Sequence, residues 1–242
     1  MRFYLAVLIA LIFVGCDQRT DVARDTPTWE SIFDGNTLTG WSAPDMRYFR
    51  VADGAITGET TKELNPERNQ FIVWQGGELA DFEVEFQFRI FGEKSNSGMQ
   101  FRSKVKEHGL VHGYQADIDG KAKFFGGIWD EYGTRKSLAA RGQTVLIATD
   151  GTRTTAPLSG SDHLTGIPLD QWTTYRIKAV GPRCELFINQ IPTAVLIDHE
   201  NNKALRSGVL AMPIIPGEPM KVQYRNIRIK RLSLTPMNNP PH

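Results

Sequence analysis

Three consecutive segments, Asn96–Ser103, Gly113–Gly120 and Phe124–Glu131, place the residues of this chain that could do chemistry. Each alternates polar and apolar residues, and the side chains of an extended strand point to opposite faces with period two. In the first, Gln100 and Arg102 oppose Met99 and Phe101. In the second, Gln115, Asp117 and Asp119 oppose Tyr114, Ala116 and Ile118. In the third, Trp129 and Glu131 share a side. A sheet face that collects Arg, amides, three carboxylates and an indole is not a core. The commoner use of such a face is a solvated exterior. The other use is a binding surface, because an indole platform flanked by carboxylate and amide groups suits a sugar ring.

Asp117, Asp119 and Glu131 on one face would crowd like charges. Crowding and partial loss of water raise at least one carboxyl pKa, which suits an acid or base. Arg102 is expected to neutralise one of them and to hold an oxyanion. Gln100, Gln115 and Trp129 are expected to bind substrate, with a packed core indole an equal reading of Trp129. His112, close to the strand mouth, is a candidate acid, base or binding group, with a surface imidazole as the plainer reading. Arg135 and Arg141, in the loop after Glu131, would close over a ligand or lie solvated. Asp117-Ile118-Asp119-Gly120 resembles a fragment of a calcium loop whose remainder is missing, so no cofactor is expected and calcium stays the alternative. There is no nucleophile elbow, no zinc-type His pair and no Cys cluster, which leaves nucleophilic hydrolase and zinc chemistry without support.

The rest of the chain reads as strand nearly throughout. Phe82, Val84, Phe86, Phe88 and Ile90 alternate with Glu83, Glu85, Gln87 and Arg89. Further strands are expected at Phe49–Val51, Ala55–Gly58, Phe71–Val73, Ser97–Ser103, Gly113–Ile118, Gly126–Asp130, Thr144–Ala148, Trp172–Val180, Arg183–Ile188, Thr193–Asp198, Ser207–Met212 and Met220–Leu232. Near Asn226 the alternation breaks register, as a β-bulge would make it do. Gly-containing turns such as Asp53-Gly54 and Asp150-Gly151 separate the runs. Only Thr28–Phe33 and Glu200–Leu205 offer short helices. Many short strands with turns at near-regular spacing predict an all-β protein, an antiparallel sandwich or jelly roll.

Residues 1–16 join one Arg to an apolar run that ends at Gly15-Cys16. The run is too short for a comfortable transmembrane helix and reads as a secretory signal. Its end resembles a bacterial lipoprotein signal, in which Cys16 is lipidated and provides the membrane attachment at the cell envelope, facing periplasm or exterior. Residues 17–27 are a polar tether, residues 28–234 one domain, and residues 235–242 a Pro-rich tail expected to be disordered. The only other cysteine, Cys184, lies among apolar residues and reads as a buried small hydrophobe. The formal net charge is +1, from 28 basic and 27 acidic residues, which gives no pull toward nucleic acid.

Seven pieces, in order, carry a resemblance to a known family. They are Ser31–Trp41 (SIFDGNTLTGW), Phe49–Glu59, Asp81–Ile90, Ser95–Ser103, Gly113–Gly120 with Gly126–Glu131, Gln171–Pro192 and Met220–Leu232. Together they resemble the 3-keto-disaccharide hydrolase domain family. The resemblance implies a concanavalin/LamG-like jelly-roll sandwich of two antiparallel sheets. It implies a carbohydrate substrate already oxidised at C3 by a separate sugar 3-dehydrogenase. It also implies cleavage of a 3-keto-glycoside by loss of the C2 proton and β-elimination, followed by hydration. That chemistry needs a base poised near neutral pH, donors for the enolate oxygen and an acid at the leaving oxygen. Asp117, Asp119, Glu131 and Arg102 are the expected catalytic set. One departure stands out: where many members carry Gln and His, this chain has Pro213 and Ile215. A carbohydrate-binding module without turnover is therefore the alternative expectation.

Overall fold

The computed structural model describes residues 27–160, 164 and 166–232. The expected signal segment, Cys16, most of the tether and the whole C-terminal tail lie outside them. Seventeen strands follow in chain order. They are β1 (Glu30–Ser31), β2 (Trp41–Ser42), β3 (Phe49–Ala52), β4 (Ala55–Glu59), β5 (Gln70–Trp74), β6 (Phe82–Phe91), β7 (Asn96–Val105), β8 (Val111–Asp119) and β9 (Ile128–Glu131). After these come β10 (Lys136–Ala139), β11 (Gln143–Ile147), β12 (Arg153–Pro157), β13 (Thr173–Val180), β14 (Arg183–Ile188), β15 (Ile191–Asp198), β16 (Val209–Ile214) and β17 (Lys221–Arg231). Every segment expected to be a strand overlaps one, with ends that differ by up to two residues. Among the described residues, no helix is long and apolar enough to cross a membrane.

The strands form two sheets. A ten-stranded sheet runs β12-β11-β15-β14-β13-β6-β17-β4-β3, with β1 beside β17. A seven-stranded sheet runs β10-β9-β8-β7-β16-β5-β2. The alternation in β6 explains its central place, because Phe82, Val84, Phe86 and Phe88 are wholly buried between the sheets. Burying such a side chain stabilises by about 1.5–3 kcal/mol. Phe86 and Phe88 pack against Tyr175 and are joined by Tyr224 and Phe125. Met99, Phe101, Tyr114, Ala116 and Ile118 enter the same core from the seven-stranded sheet. Cys184 is buried there too, and burial pushes its thiol pKa up to about 11.

Four details depart from the sequence expectation. β11 pairs with β15 in parallel, so the sheets are not wholly antiparallel. Thr28–Phe33 is not a helix: Glu30–Ser31 pairs with β17, and the backbone of Ile32 donates to Ile227. Glu200–Leu205 makes a turn, with Ala204 N–H donating to Glu200 O at 2.9 Å. Strands β1, β2, β10 and β12 were not foreseen. The bulge near Asn226 is present, with the β17 register shifting between Arg225 and Arg228 and Asn226 at φ 52°.

Candidate active site

Strands β7, β8 and β9 lie side by side, and their register aligns the outward residues. Gly98 stands opposite Asp117, Gln100 opposite Gln115, Gln115 opposite Trp129 and Gly113 opposite Glu131. Gln115 and Trp129 therefore stand between the two carboxyls. The Cα positions of Asp117 and Gly113 are separated by about 13 Å of strand at the usual rise. This face is not wet: Gln100, Gln115 and Asp117 are 0%, 3% and 6% exposed. Gln100 Nε2 donates to Gln115 Oε1 at 2.8 Å, and Gln115 Nε2 donates to Asp117 Oδ1 at 2.7 Å. Ser103 Oγ lies 2.8 Å from Gln100 Oε1 at the far end of the row. Gly98 permits this packing, because a Cβ there would stand 2.7 Å from both Ala116 O and Gln115 Cγ.

A cleft of about 150 Å3 opens over Asp117, lined by Asn96, Gln115, Phe124, Trp129, Glu131 and Ile215. No cationic side chain lines it. Burial is the main cause that pushes the Asp117 carboxyl up to about 8; the Gln115 hydrogen bond opposes the rise, while Glu131 and Asp119 add to it. Burial also raises Glu131, against the pull of Asn69 Nδ2, which donates to Glu131 Oε1 at 3.0 Å, and of Lys136. The Phe124 ring meets Trp129 edge-on at 5.6 Å. Two carboxyls with raised pKa values on either side of an indole suit proton transfer on an uncharged ring.

Other expected site residues serve the frame. Arg102 does not join the carboxylates. A β-bulge shifts the β7–β8 register between Phe101 and Lys104, and Arg102 takes φ 49°. Its side chain turns away from the strip. Nε and Nη2 donate to Ala80 O, Nη1 to Gly181 O and Leu205 O, and Nη2 also to Asp81. Arg102 is completely buried in those contacts, so the expected oxyanion role has no geometric basis.

Asp119 shares the face but is committed to its own turn, accepting backbone N–H groups from Lys123, Phe124 and Phe125. The calcium-loop fragment thus works as a turn, and no three metal-ligand side chains converge among the described residues. Arg141 braces the same turn from its other side, donating to Ala122 O and Phe125 O. It does not line the cleft.

His112 lies in a neighbouring cleft of about 360 Å3, shared with Lys104, Lys106, Arg135 and Glu131. Its ring stacks on Tyr132 at 4.8 Å, and burial and Lys106 push its pKa down. Arg135 is tied to Asp198, Asp130 and Glu200 at 2.7, 3.2 and 3.2 Å and is 5% exposed, so it closes no lid. Of the two departures, Pro213 is buried in β16, where its carbonyl accepts from Ser97, while Ile215 lines the cleft. Asn96, Asn69 and Phe124 are cleft or supporting residues that alternation did not single out.

A family model described as the 3-keto-alpha-glucoside-1,2-lyase-like domain matches residues 28–230. The chain belongs to this family. The fold is shared with solved structures of low identity. One, from Parabacteroides distasonis ATCC 8503, is provisionally named a glycosyl hydrolase. It is 15% identical with a TM-score of 0.54, over 85% of this chain and 94% of that one. The laminarinase from Rhodothermus marinus is 11% identical at a TM-score of 0.55, over 85% and 98%. The carbohydrate binding module CBM66 from Bacillus subtilis is 12% identical at 0.52, over 79% and 95%. These likenesses establish the jelly-roll sandwich. A comparison with curated proteins finds no match.

Proposed function

We propose that the cleft over β8 cleaves the glycosidic bond of a 3-keto-glycoside, with Asp117 as the base. The observation that carries this reading is a buried carboxyl with no countercharge, pushed up to about 8 and open to a cleft with Trp129 and Glu131. A C3 ketone acidifies the C2 hydrogen. Ionised Asp117 takes that proton, the electron pair forms a C1–C2 double bond conjugated with the ketone, and the C1–O bond breaks. The leaving oxygen takes a proton from the protonated form of Glu131, whose raised pKa suits it to that role. Water then adds at C1. Ionisation of this base gives kcat/KM an ascending limb near pH 8, and loss of the Glu131 proton gives a descending one. Family membership supports the substrate class, and an earlier oxidation at C3 must supply it. We also propose that the chain acts outside the cytoplasm, held to a membrane through lipidated Cys16.

A second reading, sugar binding without turnover, is favoured by Ile215, an apolar group in a cleft where a polar one would aid chemistry. The deciding test is release of aglycone from a panel of 3-keto-glucosides by the purified full chain, followed by mass spectrometry. Release that falls about 100-fold or more in Asp117→Asn supports cleavage. Binding without release supports the second reading and sinks the first.

A further inference from the structure

Among the described residues, two buried side-chain atoms have no hydrogen-bond partner: Asn96 Oδ1 and Tyr175 Oη. Tyr175 lies deep in the aromatic core. Asn96 instead lines the cleft, opposite Asp119 and two residues along β7 from Gly98, which faces Asp117. A buried polar atom left unpaired costs about 1–3 kcal/mol, and native structures leave few such atoms without a reason.

Its neighbours in the sequence are all accounted for. Ser95 donates to Phe91 O, Ser97 bonds Pro213 O and Tyr224, and Gly98 makes room for the Gln115 amide. The other cleft amide, Gln115, spends its donor on Asp117 and its acceptor on Gln100. Asn96 is the one cleft amide whose acceptor is uncommitted. The terminal torsion of an Asn is broad, so the group turns toward the cleft at little cost.

We infer that Asn96 is a ligand-binding residue whose Oδ1 accepts a hydrogen bond from a hydroxyl of the ring seated between Trp129 and Ile215. This deepens the proposed function by adding a binding contact to the same cleft, and it rests on that reading only for the site. A hydroxyl brings the missing donor, so the orphan in the empty protein becomes a satisfied pair in the complex. The lining without a cationic side chain fits the same occupant, because an anionic substituent would meet Asp117 and Asn96 Oδ1 directly, with Lys136 acting only from beside Glu131.

The test is calorimetric titration of the full chain with methyl α-D-glucopyranoside, which lacks the ketone and is not turned over, together with melting curves of the empty protein. Asn96→Leu is expected to raise the melting temperature of the empty protein and to weaken binding by tenfold or more. Asn96→Asp keeps an acceptor and is expected to hold affinity within about threefold. The inference is overturned if Asn96→Leu lowers the melting temperature, with or without weaker binding, since the amide would then be holding the strand end. Unchanged affinity in Asn96→Leu, an equal loss in Asn96→Asp, or no binding by the unaltered chain overturns it as well. Binding without cleavage of the 3-keto-glucosides would refute the proposed reaction and leave this inference standing.

Discussion

Around Arg102 and Arg135 each buried charge meets an opposite charge or a carbonyl; in the cleft over β8 the buried carboxyl meets neither. Every guanidinium nitrogen of Arg102 has an oxygen to donate to. Arg135 bridges Asp130, Asp198 and Glu200, and Tyr114 Oη donates to Asp198 at 2.5 Å. Those groups lock elements together: Arg102 ties β7 to the loops before β6 and after β13, and Arg135 ties the loop after β9 to the end of β15. Asp117 has one amide donor and two like charges near it. Charge that is balanced holds the fold, and the carboxyl left unbalanced in a cleft keeps a raised pKa.

Three substitutions and a pH series sharpen or break that contrast. Asp117→Asn should cut turnover of a 3-keto-glucoside by about 100-fold or more while leaving the melting temperature unchanged or higher. A large fall in melting temperature would make Asp117 structural and erase the difference between the regions. Arg102→Met should do the reverse. It strands several carbonyls and Asp81, and should destabilise the chain by about 3–5 kcal/mol, roughly 10 °C in melting temperature for a domain of this size. A loss of only a degree or two would contradict the lock. Trp129→Ala should weaken glycoside binding about tenfold with little change in melting.

The remaining test is in pH. The Asp117 pKa is raised from its unfolded value near 3.8 to about 8 in the fold. The folded state therefore keeps a proton that the unfolded state has lost across that window. Its contribution is fully present below pH 4 and disappears as pH rises toward 8. Denaturant titrations should show unaltered protein losing stability relative to Asp117→Asn from pH 4 to 8, and a flat difference would mean the group is not desolvated.

The two bulges show how far the sequence reaches. At Asn226 the break was legible because apolar Tyr224 and Ile227 sit three apart, so alternation cannot continue unbroken. At Arg102 the residues that follow, Ser103 and Lys104, are polar too, and no pattern betrays the slip. Period two therefore put Arg102 on the face of the candidate site when the chain turns it inward. The strands that escaped notice have matching reasons. β1 and β2 are two residues long, and β12 is polar and exposed from Arg153 to Pro157. Within the site, the outward placing of Gln100, Gln115, Asp117, Trp129 and Glu131 was legible from alternation. The turn that consumes Asp119 and the reach of Asn69 to Glu131 depend on loops, which carry no period to read.

The parallel pairing of β11 with β15 has a consequence for the order of assembly. β7, β8, β9 and β10 follow one another as antiparallel neighbours, so the floor of the cleft closes through short loops. β11 can pair early with β12, but its place in the sheet must wait, because β12, β13 and β14 intervene before β15 is made. Closing such a long segment costs chain entropy before any contact rewards it. Pulse-labelled amide exchange should therefore protect β7–β9 before the ladder between β11 and β15, and earlier protection of that ladder would refute this order. A nascent chain would then hold the floor of its cleft while the far rim of the larger sheet is still searching for its place.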